Sequence, residues 1–184
     1  MRRGANVALT REIPGLTRIV VGVSWNSGAE RLLEENLVLA TVLCDSQGKA
    51  PSAEHFVFFN QLSSPEESVT QVETALAGDK EQVEIDLPDV PADIARVVVV
   101  VYLNDGTAPR RTLAQLREIT VVVREAGSRR ELVRSENLAP ALTTETALVL
   151  GEVYRHSGDW KFKVIGEGYA TGIAGIATDY GLPL

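Results

Sequence analysis

The chain's one cysteine and two histidines, Cys44, His55 and His156, are the side chains best suited to nucleophilic or acid–base chemistry near neutral pH. Such chemistry needs partners: a thiol needs a base to ionise it, and an imidazole needs a hydroxyl or thiol to deprotonate and a third group to orient it. Their surroundings supply no known nucleophile motif. His55 stands in the strand-like run EHFVFF, and His156 opens the turn His156-Ser157-Gly158-Asp159. Cys44 closes the apolar run Leu37 to Cys44, where a small buried hydrophobe is expected. A lone cysteine also leaves no intramolecular disulfide and no thiolate metal cluster. No GxGxxG follows a strand, and GxxxxGK[ST], HExxH and CxxC are absent. Gly166, Gly168, Gly172 and Gly175 look like a glycine-rich loop but better suit the entry to a last helix that packs close to a sheet. The residues favour a protein without catalysis.

Oxygen chemistry is the stronger signal. Glu30, Glu34 and Glu35 cluster early, and further carboxylates run from Glu66 to Asp89; acidic loops of this kind either hold a cation or simply face solvent. The net charge of −7 argues against nucleic acid as a partner, because phosphate contacts need clustered Lys and Arg. The pairs Arg110-Arg111 and Arg129-Arg130 are expected as solvated loop charges beside turns. The longest apolar run, Val97 to Leu103, is seven residues, which suits a strand buried on both faces and is too short to span a bilayer. The opening MRRGANVALTREIPGL has no apolar core of a signal peptide, which with the single cysteine favours the cytoplasm.

The elements that must position these groups are many short strands. Ile19 to Trp25, Leu37 to Cys44, His55 to Phe59, the alternation Val83, Ile85, Leu87, then Arg96 to Leu103, Leu116 to Val123 and Glu131 to Val133 are separated by turn signals such as Asp45-Ser46-Gln47-Gly48 and Asn104-Asp105-Gly106. At the C-terminal end, Thr146 to Tyr154 forms a strand, and Trp160, Phe162 and Val164 alternate with Lys161 and Lys163 in the next. Tyr169, Ile173, Ile176, Ala177 and Tyr180 recur at helical spacing, with Gly181 and Pro183 as stops. The expected fold is mainly β, an antiparallel two-sheet β-sandwich with a short C-terminal helix, in one domain over residues 1–184. Residues 64–78 admit two readings. Ser64-Pro65-Glu66-Glu67 could cap a helix with Val69, Val72 and Leu76 on one face, or the segment could be a turn, a strand and a loop; the extended reading is preferred.

The C-terminal block ETALVLGEVYRHSGDWKFKVIGEGYATGIAGIATDYG resembles that of the TerD family of tellurium-resistance and stress-response proteins. The resemblance runs along nearly the whole chain: GANVALTREIPGLTRIVVGVSW matches the family opening, FVFFNQLSSPEESV its aromatic strand and SP-G-SV pattern, and APRRTLAQL its ARRQNFGQV segment. It implies a two-sheet β-sandwich with calcium held by acidic loops at one end. The calcium motifs depart from the family. Where the family has an Asp after the Trp of GWD, this chain has Asn26, and the two carboxylates of FDLDAS fall on Asn36 and Val38. The long acidic loop is shortened to VETALAGDKEQ, so that Asn26, Asn36, Asn60, Glu73, Asp79 and Glu81 are the remnants the resemblance offers as calcium ligands. Calcium wants six to eight oxygens and enough carboxylate charge. Losing about three carboxylates should weaken the site severely.

The expected function is therefore a non-catalytic stress-response or tellurium-resistance module. It would bind a protein partner or a small ligand at the loop end, with calcium binding weak or lost. The alternative is a calcium-responsive sensor that keeps a looser site from Asn26, Asn36, Asn60, Glu73 and Asp79 with backbone carbonyls. No other cofactor is expected, and a sheet edge of the sandwich could pair with a second copy in a homodimer.

Overall fold

The structure, a computed structural model, describes residues 1–104 and 111–183. Two antiparallel sheets face each other. The first carries six strands in the order β1 (Asn6–Ala8), β11 (Asp159–Tyr169), β10 (Ala147–His156), β7 (Arg96–Leu103), β3 (Leu37–Cys44) and β4 (Phe56–Val57). The second carries five, β5 (Val69–Val72), β6 (Glu81–Asp86), β2 (Arg18–Asn26), β8 (Glu118–Glu125) and β9 (Glu131–Arg134). Each sheet gives one side of every strand to the space between them. Ile19, Val21, Val23 and Trp25 from β2 meet Leu39 and Leu43 from β3 and Val97, Val99 and Val101 from β7 in that core.

The run of five valines in β7 is explained by a second core. Val98, Val100 and Tyr102 point away from the first core and lie with Val149 under Ile176 and Ala177 of α2 (Gly172–Asp179) and under Leu182. A strand covered on both faces has no use for alternation, so it reads as continuous apolar sequence. One kink is built in: the register of β10 slips between Val149 and Gly151. A Cβ on Gly151 would lie 2.6 Å from both the Lys163 carbonyl oxygen and the Phe162 ring, so only glycine lets the two strands approach there.

The sandwich agrees with expectation, and residues 64–78 take the extended form. The Ser64 hydroxyl accepts from the Val69 amide at 3.1 Å instead of capping a helix, Glu67 takes φ of 60°, and β5 follows. Four local expectations are corrected. Tyr169 belongs to β11, paired with Ala147, because strand pairing continues three residues past Gly166 and the helix starts only at Gly172. For the same reason Gly166 and Gly168 lie in the strand and are not the helix entry. His55 closes a 3-10 turn, Ala53–His55, which leaves only Phe56 and Val57 in the strand. Leu87 begins a second 3-10 turn, Leu87–Asp89, shaped by Pro88. A short helix α1 (Arg31–Asn36) that sequence patterning did not suggest connects β2 to β3, anchored by the buried Leu33. Asp105 and Gly106 of the expected turn, and Arg110, lie outside the described residues. No helix among the described residues is long and apolar enough to cross a membrane.

Candidate functional site

β2 ends at Asn26, β3 begins at Leu37 and β6 begins at Glu81, so the acidic segments meet at one end of the sandwich. The loop between β5 and β6 reverses through Ala77 and Gly78, with φ of 58° and 84°, and carries Asp79 onto the outer face of the five-stranded sheet. Gly22 receives it: a Cβ at that position would stand 2.0 Å from Asp79 Oδ2. Asp79 Oδ1 accepts from the Ser24 hydroxyl at 3.2 Å, and Oδ2 accepts from Gln82 Nε2 at 2.8 Å and from the Arg124 guanidinium. Gln82 also clamps the loop, donating to the Leu76 carbonyl at 2.9 Å and accepting from the Leu76 amide at 3.2 Å. The Asp79 and Arg124 side chains are 1% and 8% exposed, so this is a buried ion pair with hydrogen bonds on both carboxylate oxygens.

A second pair stands beside it, closer to solvent. Glu34 of α1 accepts from the Trp25 indole at 3.0 Å and the Ser27 hydroxyl at 2.9 Å through Oε2, and from the Lys80 ammonium at 2.5 Å through Oε1. The Lys80 hydrogen bond is the main reason its carboxyl is held below the usual carboxylate range, against the opposing effect of burial. An open cleft of about 400 Å³ lies over these groups, walled by Trp25, Asn26, Gly28, Arg31, Glu34 and Lys80.

The six remnants named from the sequence are placed as follows. Asn26 Oδ1 accepts from the Gly28 amide at 2.8 Å, which shapes the turn after β2. Asn36 Nδ2 donates to the Leu32 carbonyl at 2.8 Å and finishes α1. Asp79 is committed to Arg124, Gln82 and Ser24. Glu81 Oε2 accepts from the Leu39 amide at 2.9 Å, bridging the two sheets, and burial pushes its carboxyl above the usual range while that bond opposes the shift. Asn60 and Glu73 sit on exposed turns. Among the described residues no three His, Cys, Asp or Glu side chains converge as a metal site would need. Two of these oxygens face backbone amides and one faces a guanidinium. That donor set does not fit calcium, which needs six to eight oxygens turned inward.

The groups that sequence reasoning missed are two cations, two neutral polar residues and a glycine: Lys80, Arg124, Ser24, Gln82 and Gly22. One signal was available, since a glycine inside the Val-rich strand β2 marks a close approach by other atoms. The catalytic candidates take other roles. Burial pushes the Cys44 thiol up to about 12, so it is no nucleophile near neutral pH. His55 Nδ1 lies 2.8 Å from the Ser52 hydroxyl, but that oxygen accepts from the Glu54 amide and serves as the cap of the 3-10 turn. His156 is exposed at the β10–β11 hairpin, where Ser157 and Gly158 both take positive φ, and Arg129-Arg130 are exposed in the β8–β9 turn.

Known proteins place this frame. The TerD domain model matches residues 1–180. General stress protein 16U of Bacillus subtilis (strain 168) is 37% identical, over 99% of this chain and 96% of that protein. Tellurium resistance protein TerD of Serratia marcescens is 31% identical, over 99% of this chain and 96% of its own length. The crystal structure of a homologue of telluride resistance protein (TerD) from Streptomyces coelicolor A3(2) superposes with a TM-score of 0.66 at 22% identity, covering 89% of this chain and 96% of that one, which speaks for the fold alone. With the family model spanning the sandwich and both covers of its sheets, this chain belongs to the TerD domain family.

Proposed function

We propose that this chain is a non-catalytic binding module of the stress-response and tellurium-resistance type, acting in the cytoplasm. It engages a protein partner or a small ligand at the loop end, and it holds that end together with its own cations in place of calcium. One observation carries the reading: Asp79 is paired with Arg124 and Glu34 with Lys80, so the two best-placed carboxylates are neutralised from within. A divalent ion recruiting Asp79 would have to open a buried pair, and stripping one partner from such a pair costs about 3–5 kcal/mol. The cleft over Trp25 and Arg31 then remains for a partner or ligand.

A thermal melt with and without millimolar calcium tests this. A protein holding calcium at ~100 times its dissociation constant gains about 2.7 kcal/mol, an easily read rise in Tm. The expected result is an unchanged Tm. A large upward shift overturns the proposal and favours the calcium-responsive sensor.

A further inference from the structure

A second polar cavity, of about 370 Å³, opens on the outer face of the six-stranded sheet. Register builds it. Asn6, Lys163 and Glu152 lie in one row across β1, β11 and β10, and Arg96 lies opposite Tyr154 in the neighbouring row, on the same face. Arg155 also lines the cavity, but its guanidinium is already spent on the carbonyls of Val90, Pro91 and Ile94 and on the face of Trp160.

The anomaly is Glu152. The residue is 8% exposed and its side chain 11%, and no described residue donates a hydrogen bond to its carboxylate. Its nearest cation, Arg96 Nη1, stands 3.9 Å away, beyond hydrogen-bond reach. A carboxylate this buried is costly unless donors reach it. Burial raises its pKa, with Arg96 and Lys163 pulling the other way. The cavity floor thus presents a carboxylate acceptor. Its rim, with Arg96 45% exposed in its side chain and Lys163 half-buried, offers positive charge.

We propose that this cavity binds a small oxyanion that still carries a proton, of the inorganic phosphate class. Its hydroxyl donates to Glu152, and its charged oxygens accept from Arg96 and Lys163. A fully deprotonated oxyanion would bring lone pairs against the carboxylate instead of a donor, so the site should discriminate by protonation more than by size or charge.

The experiment is isothermal titration of the full chain, near neutral pH, with inorganic phosphate, sulfate and methyl phosphate. Inorganic phosphate keeps a proton there, sulfate keeps none, and a phosphate monoester has lost nearly all of its second one. Phosphate should bind about 10- to 100-fold more tightly than the other two, the value of one hydrogen bond to a charged group. Lys163→Gln should weaken phosphate binding, and Glu152→Gln should narrow the gap because an amide can donate to sulfate. Absent saturable phosphate binding, or sulfate equal to phosphate, overturns the proposal. So does a folded Glu152→Gln that keeps the full preference. Should that variant fail to fold, Lys163→Gln decides: unchanged phosphate affinity overturns the site.

Discussion

The two sheets of this sandwich are covered on their outer faces by opposite means. Over the six-stranded sheet lies α2, an apolar lid whose Ile176 and Ala177 rest on Val98, Val100 and Val149. Over the five-stranded sheet lies the loop before β6, held by a polar latch in which Asp79, Arg124, Gln82 and Ser24 satisfy one another. The lid depends on buried area and tolerates changes of shape; the latch depends on each member finding its partner. The latch lies at the end of the sandwich where the family resemblance places calcium, and there Arg124 neutralises Asp79. Covering a sheet and neutralising a carboxylate have become one task there.

Breaking the latch should have the largest effect. Arg124→Ala leaves the Asp79 carboxylate buried without its cation, at a cost of about 3–5 kcal/mol, to be read from urea unfolding. The paired replacement Asp79→Leu with Arg124→Met should restore most of that loss, because a matched apolar pair has no charge to desolvate. Arg124→Lys should not rescue, since an ammonium lacks the planar fork. A loss below about 1 kcal/mol for Arg124→Ala would mean that the loop is held by something other than this pair.

The lid should come second. Ile176→Ala opens a cavity at a fully buried position and should cost about 2–4 kcal/mol in the same assay. Ile176→Leu should stay under about 1.5 kcal/mol, because volume is kept and no directional bond is lost. That tolerance is the contrast with Arg124→Lys, and equal sensitivity of the two conservative swaps would erase the distinction between lid and latch.

The lid was legible in sequence and the latch was not, for a physical reason. Ile173, Ile176, Ala177 and Tyr180 announce a helix face by spacing alone, and the unbroken apolar run Val97 to Leu103 announces a strand with something on both sides. Only the helix start was misjudged, because Tyr169 shares its spacing while pairing with Ala147. The latch, by contrast, joins Asp79 to Arg124, 45 residues on, and to Ser24, 55 residues back. No periodicity encodes such a meeting; β2, β6 and β8 must first lie side by side. The acidic residues were visible as candidates for the site, but what neutralises them was not. Gly22 was the one local trace of the loop to come.

The smallest effect should fall on Glu81, which stands between the two regimes. Like the lid it is packed toward an apolar interior, on the same side of β6 as Val83 and Ile85; like the latch it is a carboxylate, but its recorded donor is a backbone amide, Leu39. Burial raises its pKa from the ordinary 4.5, so the folded protein holds this proton more tightly than the unfolded chain. By linkage, its contribution to stability is fully present below the unfolded value and is lost as pH rises through the folded one; near neutral pH the charge works against the fold. Glu81→Gln keeps an oxygen for the Leu39 amide and removes the charge. The variant should therefore gain stability near neutral pH, by less than about 1 kcal/mol, and the gain should vanish as the pH falls toward acid. Urea unfolding of both proteins across that pH range measures the difference directly, with the titration of every other carboxylate cancelling between them. A variant that instead loses stability near neutral pH would show that the charge on Glu81 is held by a cation. That result would turn attention back to calcium at Glu81, to which the described residues bring a backbone amide and no ion pair.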